Sequence, residues 1–471
     1  MPRGSCPCTC GAFGTRPPRA VHGTGMINKH RLRSRCAASG SHSSSEPKVP
    51  AESAAFMRSL RHILSLTTGC ALSAILGVHG LIPPAHAITT EQLLFLEAWR
   101  AIDRAYVDKS FNNQSWFRLR EQYLKNEPMH DRSETYAAIN KSIKSLNDPF
   151  TRLLEPTRYQ ALKRGNQGAV IGVGLEVGFG EGTNSQLVVV TPAPGGPADR
   201  AGLQAGDIIA AIDGKPTNGA SLYDAGDMLQ GADGSEVTLD VSSKNKVRTV
   251  KLTRQRITLK PVTWQMCGSV SSAVGPADAS GKLAYVRVAT FNKQTTESAK
   301  AALRQLKADG ATRYVLDIRN NGGGLFPAGV ELARMLLDSG DIVLIADSQG
   351  VIDSYEATGT AIDAQAPVAV LVNKGTASAS EVFAGAVQDN KRATIAGETT
   401  FGKGLIQTIV ELSDGSAVSV TVARYQTPAG TDINKVGIKP DVLLDDQTLL
   451  PTDSQKFCQV IASPSAPKLF R

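Results

Sequence analysis

Residues 373–407 read NKGTASASEVFAGAVQDNKRATIAGETTFGKGLIQ. The apolar run before them, Pro367 to Asn373, predicts a buried strand, and Glu381 to Asn390 predicts a helix. Between the two lie small residues, Gly375-Thr-Ala-Ser-Ala-Ser380. Strand, tight turn and helix together place Ser378 at a helix N-terminus. Free N–H groups and the positive end of the helix dipole there favour a developing anion. Lys403 follows between Gly402 and Gly404, and Gln407 four residues later. Positions 403 and 407 are expected to share one face of a strand or a helix, so that a serine, a lysine and an amide converge.

Two other readings compete. Ser and Thr ahead of a helix are commonly caps, and a Lys between glycines is commonly a solvated turn. The stretch Gly397-Glu-Thr-Thr-Phe-Gly-Lys403-Gly404 also approximates a phosphate-binding loop. It lacks the closing Ser or Thr that would ligate Mg²⁺, and a β-branched stretch follows where a helix is needed. A nucleotide-binding protein is the weaker alternative.

The full chain has 471 residues, enough for two or three domains, and a formal charge of +8. Ten of the 51 Lys and Arg but only two of the 43 acids lie in residues 1–87, so the remainder is balanced. That balance argues against a nucleic-acid partner. The first fifty residues are Arg- and Ser-rich and poor in acids, like an organelle transit peptide. Arg58 and Arg61, the apolar run Ile63 to Ile82 and Ala85-x-Ala87 then form a second, cleavable signal. Two signals in series predict two membranes crossed, a thylakoid-lumen destination and a mature chain beginning at Ile88; an uncleaved membrane anchor is the alternative.

Of seven cysteines, only Cys267 and Cys458 follow residue 87; they could pair in an oxidising compartment or stay free. Neither count nor spacing suits a zinc site. Only His130 of seven histidines follows it as well, far from Ser378 in sequence, so a Ser-His-Asp triad is disfavoured and a lysine is the better base.

Residues 88–167 predict three helices, from Thr89, near Ser115 to Leu124 and near Glu134 to Leu146, ending at Asp148-Pro-Phe-Thr151. About 70 residues bury little core alone, so this helical region is expected to pack on something else. Residues 168–258 change to glycine-spaced strands: Ile171-Gly-Val-Gly-Leu-Glu-Val177, then Pro194-Gly-Gly-Pro-Ala-Asp-Arg-Ala-Gly-Leu203 and Gly206-Asp-Ile-Ile-Ala-Ala-Ile-Asp-Gly214. These residues resemble a PDZ domain. The resemblance implies that an extended peptide adds to a sheet edge and that N–H groups at Gly172, Val173, Gly174 and Leu175 hold its terminal carboxylate. Gln230 stands where an arginine would be expected. From Leu259 strands and helices alternate to about residue 446. Within them a predicted strand, Tyr314 to Ile318, runs into Arg319-Asn-Asn-Gly-Gly-Gly324, where glycines let backbone N–H groups approach a ligand. Residues 447–471 read as a loosely ordered tail.

Arg319-Asn-Asn-Gly-Gly-Gly324, Thr376-Ala-Ser-Ala-Ser-Glu381 and Phe401-Gly-Lys-Gly404 resemble, in order and spacing, the carboxyl-terminal processing peptidases. The resemblance spans Ile88 to about Asp445, and Gly322 departs from it where proline is frequent. It implies a multidomain α/β fold: helical region, PDZ domain and a ClpP/crotonase-like Ser/Lys protease core. It implies Ser378 as nucleophile, Lys403 as general base, Gln407 orienting the lysine, and the N–H groups of Gly324 and Ala379 as oxyanion hole, with Ser380 left a capping role. No cofactor and no metal are expected. With the bipartite presequence the resemblance points to the thylakoid-lumen branch of the family. The implied partner is then a protein with a free C-terminus, a membrane protein with a lumenal tail, and the implied reaction is removal of the C-terminal extension of the photosystem II reaction-centre core protein precursor. Peripheral membrane contact is compatible with this. A PDZ scaffold with an inactive core is the remaining alternative.

Overall fold

The strand Val368–Val372 is buried at every position. Five consecutive apolar residues, three of them β-branched, suit a strand covered on both faces. It lies inside a six-stranded sheet, in the order Val262–Ser269, Lys282–Val288, Ala311–Asp317, Val368–Val372, Ala393–Gly397 and Val442–Leu443. Only the first pair is antiparallel. The computed structural model describes residues 87–470, other than 180–185, 194, 221, 244–245, 259, 270–280, 445–449 and 464–465. The presequence and its cleavage site fall outside these. Among the described residues no helix is long and apolar enough to cross a membrane.

Alternation along the strands sorts the core into two layers. Ala284, Val286, Leu316, Val370 and Ile395 face the helices Thr295–Ala308, Phe326–Arg334 and Ala379–Asp389. Leu283, Tyr285, Val315, Leu371 and Ala396 face the other way, onto Phe457, Ile461, Leu469 and Phe470. The C-terminal segment is therefore the second cover of the sheet, which corrects the expectation of a loose tail. Asp453 caps a helix, Ser454–Ile461, by accepting the N–H of Lys456. Phe457 is fully buried and stacks on Tyr285 with centroids 4.2 Å apart. Cys458 is disulfide-bonded to Cys267 of the first strand, closing a sequence separation of 191 residues. Four of the helix's eight residues are polar, including one Lys, and only Phe457 and Ile461, four apart, are fully buried. The pattern is too short to read without the sheet it covers.

A second, antiparallel sheet begins just after the lysine. The strand Ala417–Gln426 pairs with Leu405–Glu411, with Asp341–Asp347 and, at Ala417 to Ser419, with Arg152–Leu154. That last strand comes from the helical region, whose helices Thr90–Ala105, Trp116–Asn126 and Arg132–Lys144 pack with Leu412, Val418 and Val420 in one apolar cluster. The helical region thus contributes a strand to the sheet it covers, followed by a fourth helix, Pro156–Asn166.

The PDZ region forms its own sheet in the order Leu175–Phe179, Leu187–Pro192, Ile208–Ile212, Glu236–Ser243, Lys246–Thr253, with the helix Leu222–Leu229 beside it. Leu175–Phe179 is an edge strand of this sheet. The strand expected from Ile171 to Val177 is broken in two, because Gly174 turns to φ 70°. The carbonyls of Val173 and Gly174 accept the N–H groups of Ala198 (3.0 Å) and Ala193 (2.8 Å). Although Gln230 replaces an expected arginine, Arg254 comes in from behind, donating to the carbonyls of Met228 (2.9 Å) and Leu229 (3.1 Å) at the end of the PDZ helix.

Because Phe457 fills the space over Tyr285, Phe457→Ala is expected to destabilise the protein by about 3–5 kcal/mol. Thermal or denaturant unfolding of the purified chain measures this. A change within 1 kcal/mol, on the order of a surface substitution, would restore the reading of residues 447–471 as a loose tail.

Candidate active site

The strand Val368–Val372 delivers the chain into a turn fixed by its own side chains. Thr376 Oγ1 accepts the N–H of Asn373 (3.0 Å) and donates to the carbonyl of Ile318 (2.9 Å). Asn373 Oδ1 accepts from Asn320 N–H (2.8 Å) and Gly375 N–H (3.1 Å), and its Nδ2 donates to Asn320 Oδ1 (3.0 Å). Ser380 Oγ donates to the carbonyl of Asn321 (2.8 Å). Ser380 is therefore a tie between the turn and the glycine loop, where a helix cap was expected.

Ser378 itself has φ 60° and ψ −120°, a conformation that non-glycine residues adopt only under constraint. It caps the helix Ala379–Asp389 with its backbone: its carbonyl accepts from Glu381 (2.8 Å) and Val382 (3.0 Å). Ala379, the first helical residue, keeps an N–H with no acceptor in its own helix. Gly323 lies against the serine so closely that a Cβ there would sit 2.7 Å from Ser378 Cβ. Its N–H is committed to Asn321 Oδ1 (2.9 Å). Phe291 N–H goes to the Gly323 carbonyl (3.0 Å) and Leu325 N–H to the Phe291 carbonyl (2.8 Å). In that parallel bridge the N–H of Gly324 itself is turned away from Phe291. Of the glycines, Gly324 rather than Gly323 has a donor to offer an oxyanion.

The serine and the lysine meet at Glu381. This carboxylate is fully buried and accepts four hydrogen bonds: from Ser378 N–H (2.8 Å), Thr400 Oγ1 (2.7 Å), Gly402 N–H (2.6 Å) and Lys403 N–H (3.0 Å). Ser378 and Lys403 share the same oxygen, Oε2, so their backbones are held within two hydrogen-bond lengths of each other. Burial raises the Glu381 pKa, and the hydrogen bonds from Thr400, Gly402, Ser378 and Lys403 pull against it. These same contacts dispose of the phosphate-loop reading: the N–H groups of Gly402 and Lys403 already face an anion, and the strand Leu405–Glu411 follows in place of a helix. The flanking glycines serve close approach. A Cβ on Gly404 would meet Asn434 N at 2.2 Å, and one on Gly402 would meet Gly437 N at 2.9 Å.

Lys403 is half-buried, and its pKa falls from 10.5 to about 8. Burial is the largest cause and the positive charge of Arg152 the next; Glu381 and Asp148 oppose them. Its Nζ lies 5.2 Å from the centre of the Phe150 ring. The segment Asp148-Pro-Phe-Thr-Arg152 therefore walls the lysine, a role its sequence gave only as a helix breaker. Gln407 lies beyond a bulge between Ile406 and Gln407, and Lys403 lies ahead of the strand. The extra residue of that bulge, Val422, lies in the partner strand and leaves the alternation of Leu405–Glu411 intact; what the plain periodicity of positions 403 and 407 did not foresee is Gly404 between them, turned to φ 56° ahead of the strand. Gln407 Nε2 donates to Thr421 Oγ1 (3.4 Å), which also accepts from Thr151 Oγ1 (3.4 Å).

The PDZ domain sits on this site. Its Phe179 and Leu222 line a small pocket with Gly322, Gly375, Ala377 and Phe401. Glu176 of its edge strand pairs with buried Arg287, which also reaches Asp317 (3.4 Å). Asp317 is held by Arg319 (2.6 Å) and Tyr285 Oη (2.7 Å); burial opposes its charge, but Arg319 and Arg287 bring its pKa down to about 2.

Residues 282–444 match Peptidase family S41, and residues 188–242 match a PDZ domain. Over 391 residues the chain is 59% identical to the chloroplastic C-terminal processing peptidase of Tetradesmus obliquus, covering 82% of this chain and 84% of that one. This chain belongs to the carboxyl-terminal processing peptidases. It is 50% identical over 388 residues to the chloroplastic carboxyl-terminal-processing peptidase 2 of Arabidopsis thaliana, covering 82% and 74% of the two chains. A solved photosystem II D1 C-terminal processing protease superposes with a TM-score of 0.68 at 59% identity, over 81% of this chain and 100% of that one. The peptidase is thus a serine-type endopeptidase with a PDZ domain and a protein substrate, and the inert-scaffold alternative falls.

A lysine brought to about 8 is a load on the fold. Below that value the folded protein has to protonate a buried amine, whereas the unfolded chain carries the charge freely. Between about 8 and 10.5 only the unfolded state holds the proton, so this group's contribution to stability rises with pH across that window. Lys403→Met, which keeps the stem and removes the charge, is therefore expected to be more stable than the parent at pH 7, by about 1–3 kcal/mol. The gap should narrow as the pH approaches 10. Denaturant unfolding of both proteins across that range measures it; a less stable Lys403→Met at pH 7 would mean that the ammonium is well solvated.

Proposed function

We propose that Ser378 is the nucleophile and Lys403 the general base, and that the enzyme removes a C-terminal extension from a protein precursor. The observation that carries this reading is the suspension of both residues from one buried carboxylate oxygen, with the lysine brought to about 8. An ordinary lysine is almost wholly charged at neutral pH and cannot accept a proton. Lys403 is neutral in a useful fraction. It takes the hydroxyl proton of Ser378 as Oγ attacks the scissile carbonyl, and the N–H groups of Gly324 and Ala379 receive the oxyanion. The amine leaves with that proton, and water, deprotonated by the same lysine, hydrolyses the acyl-enzyme. Gln407, turned by Thr421, offers the lysine its carboxamide oxygen and orients it.

The PDZ domain reads the substrate terminus. With the carbonyls of Val173 and Gly174 spent inside the domain, the Gly172-Val-Gly-Leu175 turn has donors to offer a carboxylate. The relative whose solved structure is a photosystem II D1 C-terminal processing protease suggests the D1 precursor, a membrane protein with a lumenal tail, as substrate. The chloroplastic relatives and the two-part presequence suggest the thylakoid lumen as its place of work. The boundaries 1–87, 88–167, 168–258, 259–446 and 447–471 serve as presequence, helical region, PDZ domain, peptidase core and core-covering C-terminal segment.

Lys403→Arg separates a general base from a lysine that only supplies charge, since arginine stays protonated at any working pH. Lys403→Arg, Lys403→Ala and Ser378→Ala are all expected to be nearly inactive, with non-additive losses, while binding a substrate C-terminus normally. The parent's rate should rise with pH through about 8. His130, with its side chain 83% exposed against Glu134, should be dispensable, and His130→Ala should cleave like the parent. Substantial turnover by Lys403→Arg would remove the lysine from the role of base.

Amidating the terminus of a substrate peptide tests the PDZ reading. Cleavage is expected to slow by around tenfold or more, the worth of one modest charge-assisted contact. Equal rates for acid and amide would sink it.

A further inference from the structure

Four charged or polarisable groups from two parts of the chain bear on the Lys403 amine. The Phe150 ring lies 5.2 Å from Nζ, in the segment that joins the helical region to its strand; Asp148 and Arg152 of the same segment, and Glu381 of the helix after Ser378, act on the amine through their charges. Asp148 is occupied locally, accepting Phe150 N–H (2.9 Å) and Thr151 Oγ1 (2.7 Å). Both carboxylates favour a charged lysine, and so does the face of the Phe150 ring. Arg152 alone among these side chains favours a neutral one, because a guanidinium cannot shed its own proton and repels an ammonium beside it.

Arg152 has a second partner. Its Nη1 lies 3.4 Å from Oδ2 of Asp227, in the last turn of the PDZ helix Leu222–Leu229. The side chains are 39% and 33% exposed, so the pair adds little to stability. Its geometry is more informative than its strength. Arg152 is placed on the core sheet through its pairing with Ser419, while Asp227 belongs to the helix that flanks the peptide-binding edge. One fixed positive charge is thus shared between the lysine and the PDZ domain.

We propose that Arg152 is a positioning residue for the base, keeping Lys403 in its proton-accepting form, and that Asp227 of the PDZ helix moderates it by pairing with the same guanidinium. This rests on the reading of Lys403 as general base. Removing Arg152 leaves the lysine facing carboxylates only. Removing Asp227 frees the full field of Arg152 to act on the lysine. The two substitutions therefore push the base in opposite directions, whereas a pair that merely fastened the domains would give the same defect from either side.

The test is the pH–rate profile of the full mature enzyme on a peptide with a free C-terminus. For Arg152→Gln the alkaline-rising limb should move up, giving about a threefold lower rate at pH 7 and parental turnover above about pH 10. Arg152→Lys should restore most of the loss. Asp227→Asn should move the limb down and raise the rate at pH 7, and the double variant should match Arg152→Gln alone, since Asp227 acts through Arg152. Limbs that move in the same direction for both single variants, or do not move, overturn the proposal. If Arg152→Gln fails to fold, Asp227→Asn decides: a limb moved down supports the proposal, and a static or raised limb overturns it. A parent enzyme whose rising limb persists in Lys403→Arg would instead overturn the lysine-base reading, which separates the two failures.

Discussion

Everything catalytic in this peptidase hangs on the Glu381 carboxylate. A buried charge is ruinous to a fold unless it is hydrogen-bonded to its capacity, and Glu381 is. Three of its four donors are backbone or side-chain groups from residues 400–403, and the fourth is the N–H of the serine. The serine follows a strand of the six-stranded sheet, and residues 400–403 lead from that sheet into the antiparallel one. Without the carboxylate, four donors would lose their acceptor, and the bond from Phe401 N–H to the Thr376 carbonyl (3.0 Å) would be left to tie the serine turn to the lysine loop. Since a displacement of about 1 Å can reduce catalysis a hundredfold, the geometry set by this one side chain matters more than its net contribution to stability.

The site also stores work done elsewhere. Ser378 is held in a conformation a free chain would leave, and Lys403 in a protonation state a free side chain would leave. Each asks the surrounding structure for a few kcal/mol. The strand Val368–Val372 and the helix Ala379–Asp389 can hold that strain because both are buried along almost their whole length. The lysine is held differently. Its wall is the Asp148 to Arg152 segment, a partly exposed stretch of irregular chain anchored by one short strand. The rigid half of the site carries the proposed nucleophile, and the adjustable half carries the proposed base.

That division explains what the sequence made legible. Residues whose role follows from their own local pattern could be read: the apolar strand, the small residues of the turn, the glycines of 322–324, the Lys403 loop. Residues whose role arises from packing across the chain could not. Phe150 and Arg152 read as the end of a helical region, because nothing near them in sequence says that a lysine 250 positions on will be their neighbour. Glu381 entered only as the start of the predicted helix, although a Glu three residues after a serine is half of a capping box and was a usable signal. The face shared by positions 403 and 407 was an inference from periodicity, and Gly404, turned to φ 56° between them, lies outside the regular strand it assumed. The C-terminal helix was hidden because its apolar residues make sense only against Tyr285 and its sheet.

The strand end at Asp317 draws these long-range effects together. Arg319, two residues on, grips Asp317 and also donates to the carbonyls of Leu450 (2.6 Å) and Pro451 (3.2 Å) from the C-terminal segment. Arg287 joins the same carboxylate to Glu176 on the PDZ edge strand. The next residues, Asn320 to Gly324, are the loop proposed to present an N–H to the oxyanion. Their entry angle is therefore set by three parts of the chain at once: the core strand, the segment clipped by the disulfide, and the PDZ edge. A buried, paired cluster of this kind is weak evidence for stability but strong evidence for a fixed arrangement, because breaking any one pair strands a charge without water. In this peptidase the PDZ domain touches the chemistry at two points of opposite character. It is locked to the oxyanion side through a buried ion pair, and it is loosely joined to the lysine side through Arg152 and Asp227, where exposure leaves the pair free to exchange partners.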